Sequence, residues 1–247
     1  MYSKLKICLF TVSYKRLELT DYVLNFYNNI KKDISDICDL ELVCIGSDGK
    51  KGKEIAEKNG FDYYEYTNEP VSQKHNYGAK ICKRYNPDAV IYVGSDDIMT
   101  IDFFYYYIDL IKNGIDFCGI KDVYFLTKDL LGYWNGYKPN NIRYNEPIGP
   151  GKVYSKSLME KLNWKPWGDK KINRGLDNLV TEKLNTIKDY KKKIISCNNV
   201  GGFFIDIKTK VNISNISEFT YDKEYDLEYI NKLDINYDKI KDLLITK

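Results

Sequence analysis

Between Lys6 and Gly94 the chain passes four times from a short apolar run to a polar break, and segments of helical spacing fill the intervals. This alternation constrains the fold more than any other feature. "KICLFTV" (Lys6–Val12), "ELVCIGS", "FDYYEY" and "AVIYVG" read as strands. Between them, "LELTDYVLNFYNNIKK" repeats apolar residues at helical spacing, "GKEIAEKNG" is a short helix closed by Gly60, and "SQKHNYGAKICKRYN" opens on Ser72 as N-cap. A β-α-β-α-β-α-β order within about a hundred residues predicts an α/β fold with an open, mostly parallel sheet.

Ligands of such sheets bind beyond the carboxyl ends of the strands. The polar clusters "TVSYKR", "GSDGKKG" and "GSDD" each follow a strand, so all three are expected at one sheet edge. After a helix over 101–114 the rhythm changes. Gly132 to Gly151, rich in Gly, Asn, Pro and aromatics, reads as loops and hairpins, and "IGPGKVYSKSLM" as a Gly-rich turn. "SKSLMEKLNW" and "LDNLVTEKLNTI" return to helical spacing, and "KKIISCN" and "GGFFIDIKT" read as late strands. The charged tail is expected as one or two helices packed on the outside. With no repeat and no Ser/Gly linker, residues 1–247 are expected to form a single domain.

A net charge of +3 over 247 residues is nearly balanced, so no nucleic-acid partner is expected. The six cysteines are scattered through apolar runs without a CxxC pair and read as buried reduced thiols. No apolar run approaches a membrane span and "KICLFTV" is too short for a secretory segment, so a soluble, cytoplasmic protein is expected. The overlapping sequons at Asn212 and Asn215 read as chance matches in an Asn-rich chain.

"AVIYVGSDDIMTIDFF" drives a strand into two adjacent carboxylates, Asp96 and Asp97. Close carboxylates repel unless a cation or shared proton neutralises them. Mg²⁺ or Mn²⁺, held by one or two carboxylates and phosphate oxygens, is one solution and would bridge the pair to a diphosphate. The competing reading is a helix cap or a solvated turn.

Five segments in order resemble the GT-A-fold glycosyltransferases, most of all the inverting nucleotide-sugar transferases of family 2. "TVSYKRLEL" is similar to the P-T-Y-N-R-x-E-L opening, with Val12 and Lys15 replacing Pro and Asn. "CIGSDG" resembles V-D-D-G, keeping Asp48, and "SQKHNYGAKI" resembles A-R-N-x-G, keeping Asn76 and Gly78. "VGSDDI" resembles the D-x-D-D metal segment, with Gly94 in place of the first acid. "GLDNLVTEKL" resembles E-D-x-x-L-x-x-R-L, with Leu176 for Glu and Asp177 kept. The likeness covers roughly residues 6–190.

The resemblance implies a GT-A fold, a single mixed, mostly parallel central sheet flanked by helices. Its nucleotide-sugar half would be 1–100, its acceptor half 101–215 and its helical tail 216–247. It implies a nucleotide-sugar donor, UDP-linked by preference, and a hydroxyl acceptor on a glycan, lipid or protein. Thr11, Ser13, Tyr14, Asn76 and Ser95 would serve the donor nucleotide, with Asp48 accepting the base N3–H or simply shaping an Asp-Gly turn. Arg16 and Lys74 would face phosphate, unless Arg16 pairs with Glu18 instead. Asp96 would contact ribose or metal and Asp97 ligate the metal, Mn²⁺ or Mg²⁺, which would stabilise the leaving diphosphate.

Asp177 would be the general base, or otherwise a first-turn helix acid. In "NVGGFFIDIKTK", Asp206, Lys208 or Lys210 could approach the diphosphate. His75, the sole histidine, reads as helix-surface packing. Trp134, Trp164 and Trp167, with Gly149, are acceptor-side candidates, against the plain alternative of core packing. Two rival functions stand beside this one. A degenerate GT-A domain acting as a binding module would account for Gly94 and Leu176. A sugar-phosphate nucleotidylyltransferase shares the sheet, although "TVSYKRLEL" lacks the Gly-rich, Arg-containing loop that cradles a triphosphate.

Overall fold

The computed structural model describes residues 4–210, 220–233 and 235–245; both sequons and the expected boundary at 215 lie outside them. The first half alternates as the sequence predicts: β1 (Leu5–Ser13), α1 (Leu17–Asp33), β2 (Cys38–Gly46), α2 (Gly49–Lys58), β3 (Asp62–Glu65), α3 (Val71–Cys82) and β4 (Ala89–Gly94). Next come β5 (Asp97–Met99), α4 (Ile101–Lys112), β6 (Phe117–Ile120), β7 (Val123–Leu126), β8 (Leu131–Trp134), β9 (Lys152–Ser155) and α5 (Lys156–Lys161). The chain continues through α6 (Leu176–Leu184), β10 (Lys192–Ile195), α7 (Cys197–Val200), β11 (Phe204–Ile207) and β12 (Lys223–Tyr225).

The described strands form two sheets. The larger has the order β10-β6-β9-β4-β1-β2-β3 and the smaller β12-β8-β7-β11-β5. β1 lies between two parallel neighbours, with Leu9 opposite both Leu42 of β2 and Ile91 of β4. Its alternate residues feed two cores. Ile7 and Leu9 pack with Leu19, Val23 and Tyr27 of α1, while Cys8 and Phe10 pack with Ala79, Ile81 and Cys82 from α3. The chain leaves β1 toward β2 and β3, then returns to its other side as β4, so the β1–β4 crevice is the topological switch point.

Four expectations need correction. Pro70, not Ser72, caps α3. The Ser72 hydroxyl donates to the Lys170 carbonyl and accepts from the Ile172 amide, tying the helix to a distant loop. "KVYS" is not part of a turn but strand β9, antiparallel to both β4 and β6. Asp97 opens β5, a three-residue strand of the smaller sheet too short for periodicity to reveal. Among its described residues the tail forms β12 and two 3₁₀ turns rather than outer α-helices, and it buries Ile230, Leu233, Ile235, Ile240 and Leu244 in the main core. All six cysteines are buried and free. No helix among the described residues is long and apolar enough to cross a membrane.

Gly78 shows why α3 can lie so close to β1. A Cβ there would stand 2.6 Å from the Phe10 ring and 3.1 Å from Ile45, both in the packed core. Gly78→Ala should therefore destabilise the fold by about 1–3 kcal/mol by overpacking, despite the better helix propensity of Ala. Chemical denaturation that finds the variant as stable as the parent would refute this close approach.

Candidate active site at the switch point

The segment leaving β1 turns sharply at Lys15, whose φ of 60° lies in the left-handed region. Its amide donates to Asp48 Oδ1 at 2.8 Å, so the residue capping α2 fixes this turn. The turn aims Arg16 across the crevice at the end of β4. There its guanidinium pairs with the Asp96 carboxylate and donates to Ser95 Oγ at 3.0 Å. Burial opposes the Arg16 charge, but Asp96, Asp97 and Asp206 outweigh it and hold its pKa above the ordinary value.

Asp97 is 3% exposed, and its Oδ2 accepts the Gly94 amide hydrogen at 2.8 Å. It faces Asp206 in the antiparallel β5–β11 register, which puts both side chains on one face of the smaller sheet. Burial, reinforced by Asp96 and Asp206, pushes the Asp97 carboxyl well above the usual range. Asp206 is also pushed up by burial, against the pull of Lys208. Lys208, itself 2% exposed, donates to Asp206 Oδ2 at 2.6 Å.

Gly94, where the resembling motif carries an acid, admits no side chain. A Cβ there would lie 2.8 Å from Asp96 Oδ1 and closer still to Asp97 Oδ2. Among the described residues no three His, Cys, Asp or Glu side chains form a metal-ligating group. A divalent ion here would have only one or two carboxylates from the chain and would need its remaining positions filled from elsewhere. Burial is the main cause of the raised Asp97 and Asp206 pKa values and the neighbouring carboxylates add to it, a cost that a bound cation would offset.

A cavity of about 620 Å³ opens on these groups. Ser13, Tyr14, Arg16, Lys74, Ser95, Asp96, Asp97, Asp206 and Lys208 line it on one side, and Trp134, Tyr137, Arg143, Gly149 and Asp177 elsewhere. Asp177 sits in the first turn of α6, behind Gly175 at φ 71°. Its Oδ1 lies 3.6 Å from Lys152 Nζ and its Oδ2 3.8 Å from Arg143 Nη2.

Several expected residues stand apart from this cavity. Thr11 shares a face with Ser13 but lies one step deeper in β1 and is 1% exposed. Asp48 borders a neighbouring cavity with Lys15, Lys128 and Lys210; its Oδ2 is buried with no hydrogen-bond partner. Asn76 spends its amide on structure, donating to Gly168 O and accepting the Trp167 amide hydrogen. Trp164 and Trp167 are core residues of the α3 side, 4% and 2% exposed. Lys74 faces the cavity, but its Nζ donates to Ser13 O and Ser47 Oγ at 2.6 and 2.7 Å, clasping the ends of β1 and β2. Burial lowers its pKa to about 8.

Sequence reasoning missed Tyr92, Arg143 and Lys152. Arg143 carried a faint signal, since the chain has only four arginines and Arg16, Arg143 and Arg174 all line this cavity. His75 is buried, not on the helix surface. Its Nδ1 donates to the Val71 carbonyl at 2.8 Å, so its Nε2 must accept from the Tyr92 hydroxyl at 2.6 Å.

Burial lowers the His75 pKa from 6.5 to about 4. The ring is then neutral in the fold, while the unfolded chain takes up a proton below pH 6.5. Stability from this group is intact above pH 6.5 and is lost progressively down to about pH 4. The full loss is about 3 kcal/mol. His75→Gln, which can donate and accept in the same places without titrating, should escape it. Parallel denaturation curves for the two proteins from pH 7 to 4.5 would contradict this. At Gly94, any Cβ displaces the carboxylates, so Gly94→Ala should cost about 1–3 kcal/mol in stability. An unchanged melting temperature would contradict that packing.

No family model matches the chain, and no curated protein sequence does either. Solved structures do. S. aureus TarS 1–349 in complex with UDP-GlcNAc superposes with a TM-score of 0.58 at 15% identity, covering 87% of this chain and 61% of that one. S. aureus TarS gives 0.57 at 15% identity, over 83% of this chain and 37% of that one. The 4-diphosphocytidyl-2C-methyl-D-erythritol synthase of Anaerococcus prevotii gives 0.52 at 12% identity, over 78% and 87%. The chain thus spans well under two thirds of TarS. Its mixed central sheet, flanking helices and switch-point crevice are those of the nucleotide-diphospho-sugar transferase fold of GT-A type.

Proposed function

We propose that this chain is a glycosyltransferase that moves a sugar from a nucleotide diphosphate donor, UDP-linked by preference, to a hydroxyl acceptor with inversion. The observation that carries the reading is one cavity lined both by the Arg16, Asp96, Asp97 and Asp206 cluster and by Asp177. The solved structures support it, since a neighbour of this fold is described with UDP-GlcNAc and another form with UDP.

In this reading the donor diphosphate lies at the ends of β1 and β4, where Arg16 and Lys208 supply fixed positive charge. Asp97, with Asp96 or Asp206, would hold Mn²⁺ or Mg²⁺, whose contribution is to neutralise charge on the leaving diphosphate. Tyr14 and Ser13 sit where a base and ribose would follow. Asp177 takes the proton of the acceptor hydroxyl as its oxygen attacks the anomeric carbon. Trp134 and Tyr137 offer apolar faces against which an acceptor sugar can stack. The acceptor is a glycan, lipid or protein hydroxyl.

A panel of UDP- and GDP-sugars, with and without Mn²⁺, read by thermal unfolding and by nucleoside diphosphate release, tests this. A UDP-sugar should raise the melting temperature and be turned over. Asp97→Ala should lose the Mn²⁺-dependent part of the shift, and Asp177→Asn should keep the shift while turnover falls about a hundredfold or more to a measurable residual rate. Binding with no turnover under any condition would favour the degenerate binding module. No shift with any donor would sink both.

A further inference from the structure

Lys152 is 1% exposed on β9, a strand whose place in the sheet the sequence conceals. An ammonium buried to that degree loses its hydration, and burial lowers its pKa accordingly. Its register partner on β4 is Tyr92, which lines the cavity, and Lys152 itself meets the cavity wall through Gly149 and Asp177. Among the described residues its hydrogen-bond and ion-pair partners are the Gly149 carbonyl, 2.6 Å away, and Asp177 Oδ1, 3.6 Å away. The same loop closes on the carboxylate from a second side. A Cβ on Gly149 would fall 2.6 Å from Asp177 Oδ1, so only a glycine lets the loop backbone approach this closely.

We propose that Lys152 is a positioning residue, which with Gly149 fixes one oxygen of Asp177 so that the other is presented to the acceptor hydroxyl. This rests on the reading of Asp177 as general base. Arg143 Nη2 stands 3.8 Å from Oδ2, beyond hydrogen-bond reach, so it sets a positive charge beside the second oxygen without occupying it. Arg143 is itself braced by Glu146 at 2.7 Å and by the Tyr137 hydroxyl. Asp177 is 30% exposed on its side chain, so the hold leaves it open to the cavity.

A purely structural function accounts poorly for this lysine. A buried amine whose nearest counter-charge is partly hydrated contributes little to stability, and an apolar residue of similar length would serve the sheet as well or better. Lys152→Met should therefore leave the melting temperature unchanged or raised while kcat falls at least about tenfold. The donor KM should stay within about twofold, because the diphosphate site is untouched.

The test measures UDP release from UDP-glucose, UDP-galactose and UDP-GlcNAc by the parent, Lys152→Met, Asp177→Asn and the double variant. Lys152→Met should cost nothing further in the Asp177→Asn background, because its effect passes through that carboxylate. Equal losses in both backgrounds, or an unchanged kcat in Lys152→Met, would overturn the proposal while leaving the base assignment standing. Full activity of Asp177→Asn, or no turnover by the parent, would instead overturn the base reading and this inference with it. Should Lys152→Met fail to fold, Gly149→Ala displaces the same carboxylate oxygen from the loop. It should show the same loss of kcat at constant donor KM, and normal turnover would refute the hold on Asp177.

Discussion

The central constraint on this molecule is the electrostatic cost of gathering Asp96, Asp97 and Asp206 at the seam of two sheets. Three carboxylates with little access to water repel one another and are each poorly solvated. Arg16 and Lys208 offset part of that cost, and each arrives from a different element. Arg16 can reach Asp96 only because β1 and β4 are neighbours and Lys15 turns the chain between them. Lys208 arrives because β11 pairs with β5 and brings residues 206–208 beside the end of β4. The Arg16–Asp96 pair ties the end of β1 to the β4–β5 junction, the Lys208–Asp206 pair lies at the end of β11, and the β5–β11 pairing with the Ile207 amide bond to the Asp96 carbonyl fastens the smaller sheet at the end of β4.

That fastening explains where the cavity lies. A parallel strand pair diverging at a switch point leaves a crevice in any fold of this type. Here the β7–β8 hairpin and the loop from Asn135 to Gly151 wall it on the other side, so the crevice becomes enclosed. Asp177 then enters from a third direction, on a helix that follows the loop tied to α3 by Ser72 and Asn173. The polar groups meet in space although they are spread over nearly two hundred residues of sequence.

The first half of the fold was legible because its signals are local. Strands such as "AVIYVG" are buried on both faces, helices repeat every three to four residues, and polar breaks mark the strand ends. Those ends named Ser13, Arg16, Ser95, Asp96 and Asp97 as neighbours, and the cavity contains all of them. The second half was less legible because its strands are four residues or fewer and their pairing is set by tertiary contacts. β9 looked like a turn because Gly149, Pro150 and Gly151 precede it and a lysine opens it. Asn76 keeps the residue type of the resembling motif but spends its side chain on Gly168 and Trp167, and Thr11 lies beneath the strand end. All three tryptophans are buried, but Trp134 of β8 packs in the main core and also borders the cavity, whereas Trp164 and Trp167 fill the core on the α3 side.

Gly94 brings these strands together. Its loss of an acid looks, in sequence, like damage to a charged site. In the structure the amide of Gly94 is itself a ligand of Asp97, and the space a side chain would need is occupied by the Asp96 and Asp97 carboxylates. Asp206, opposite Asp97 across the β5–β11 pair, restores a third negative charge from the other sheet. Gly94 is therefore a packing requirement of this carboxylate pair, and the smaller sheet meets the larger where the Asp97 and Asp206 side chains share a face.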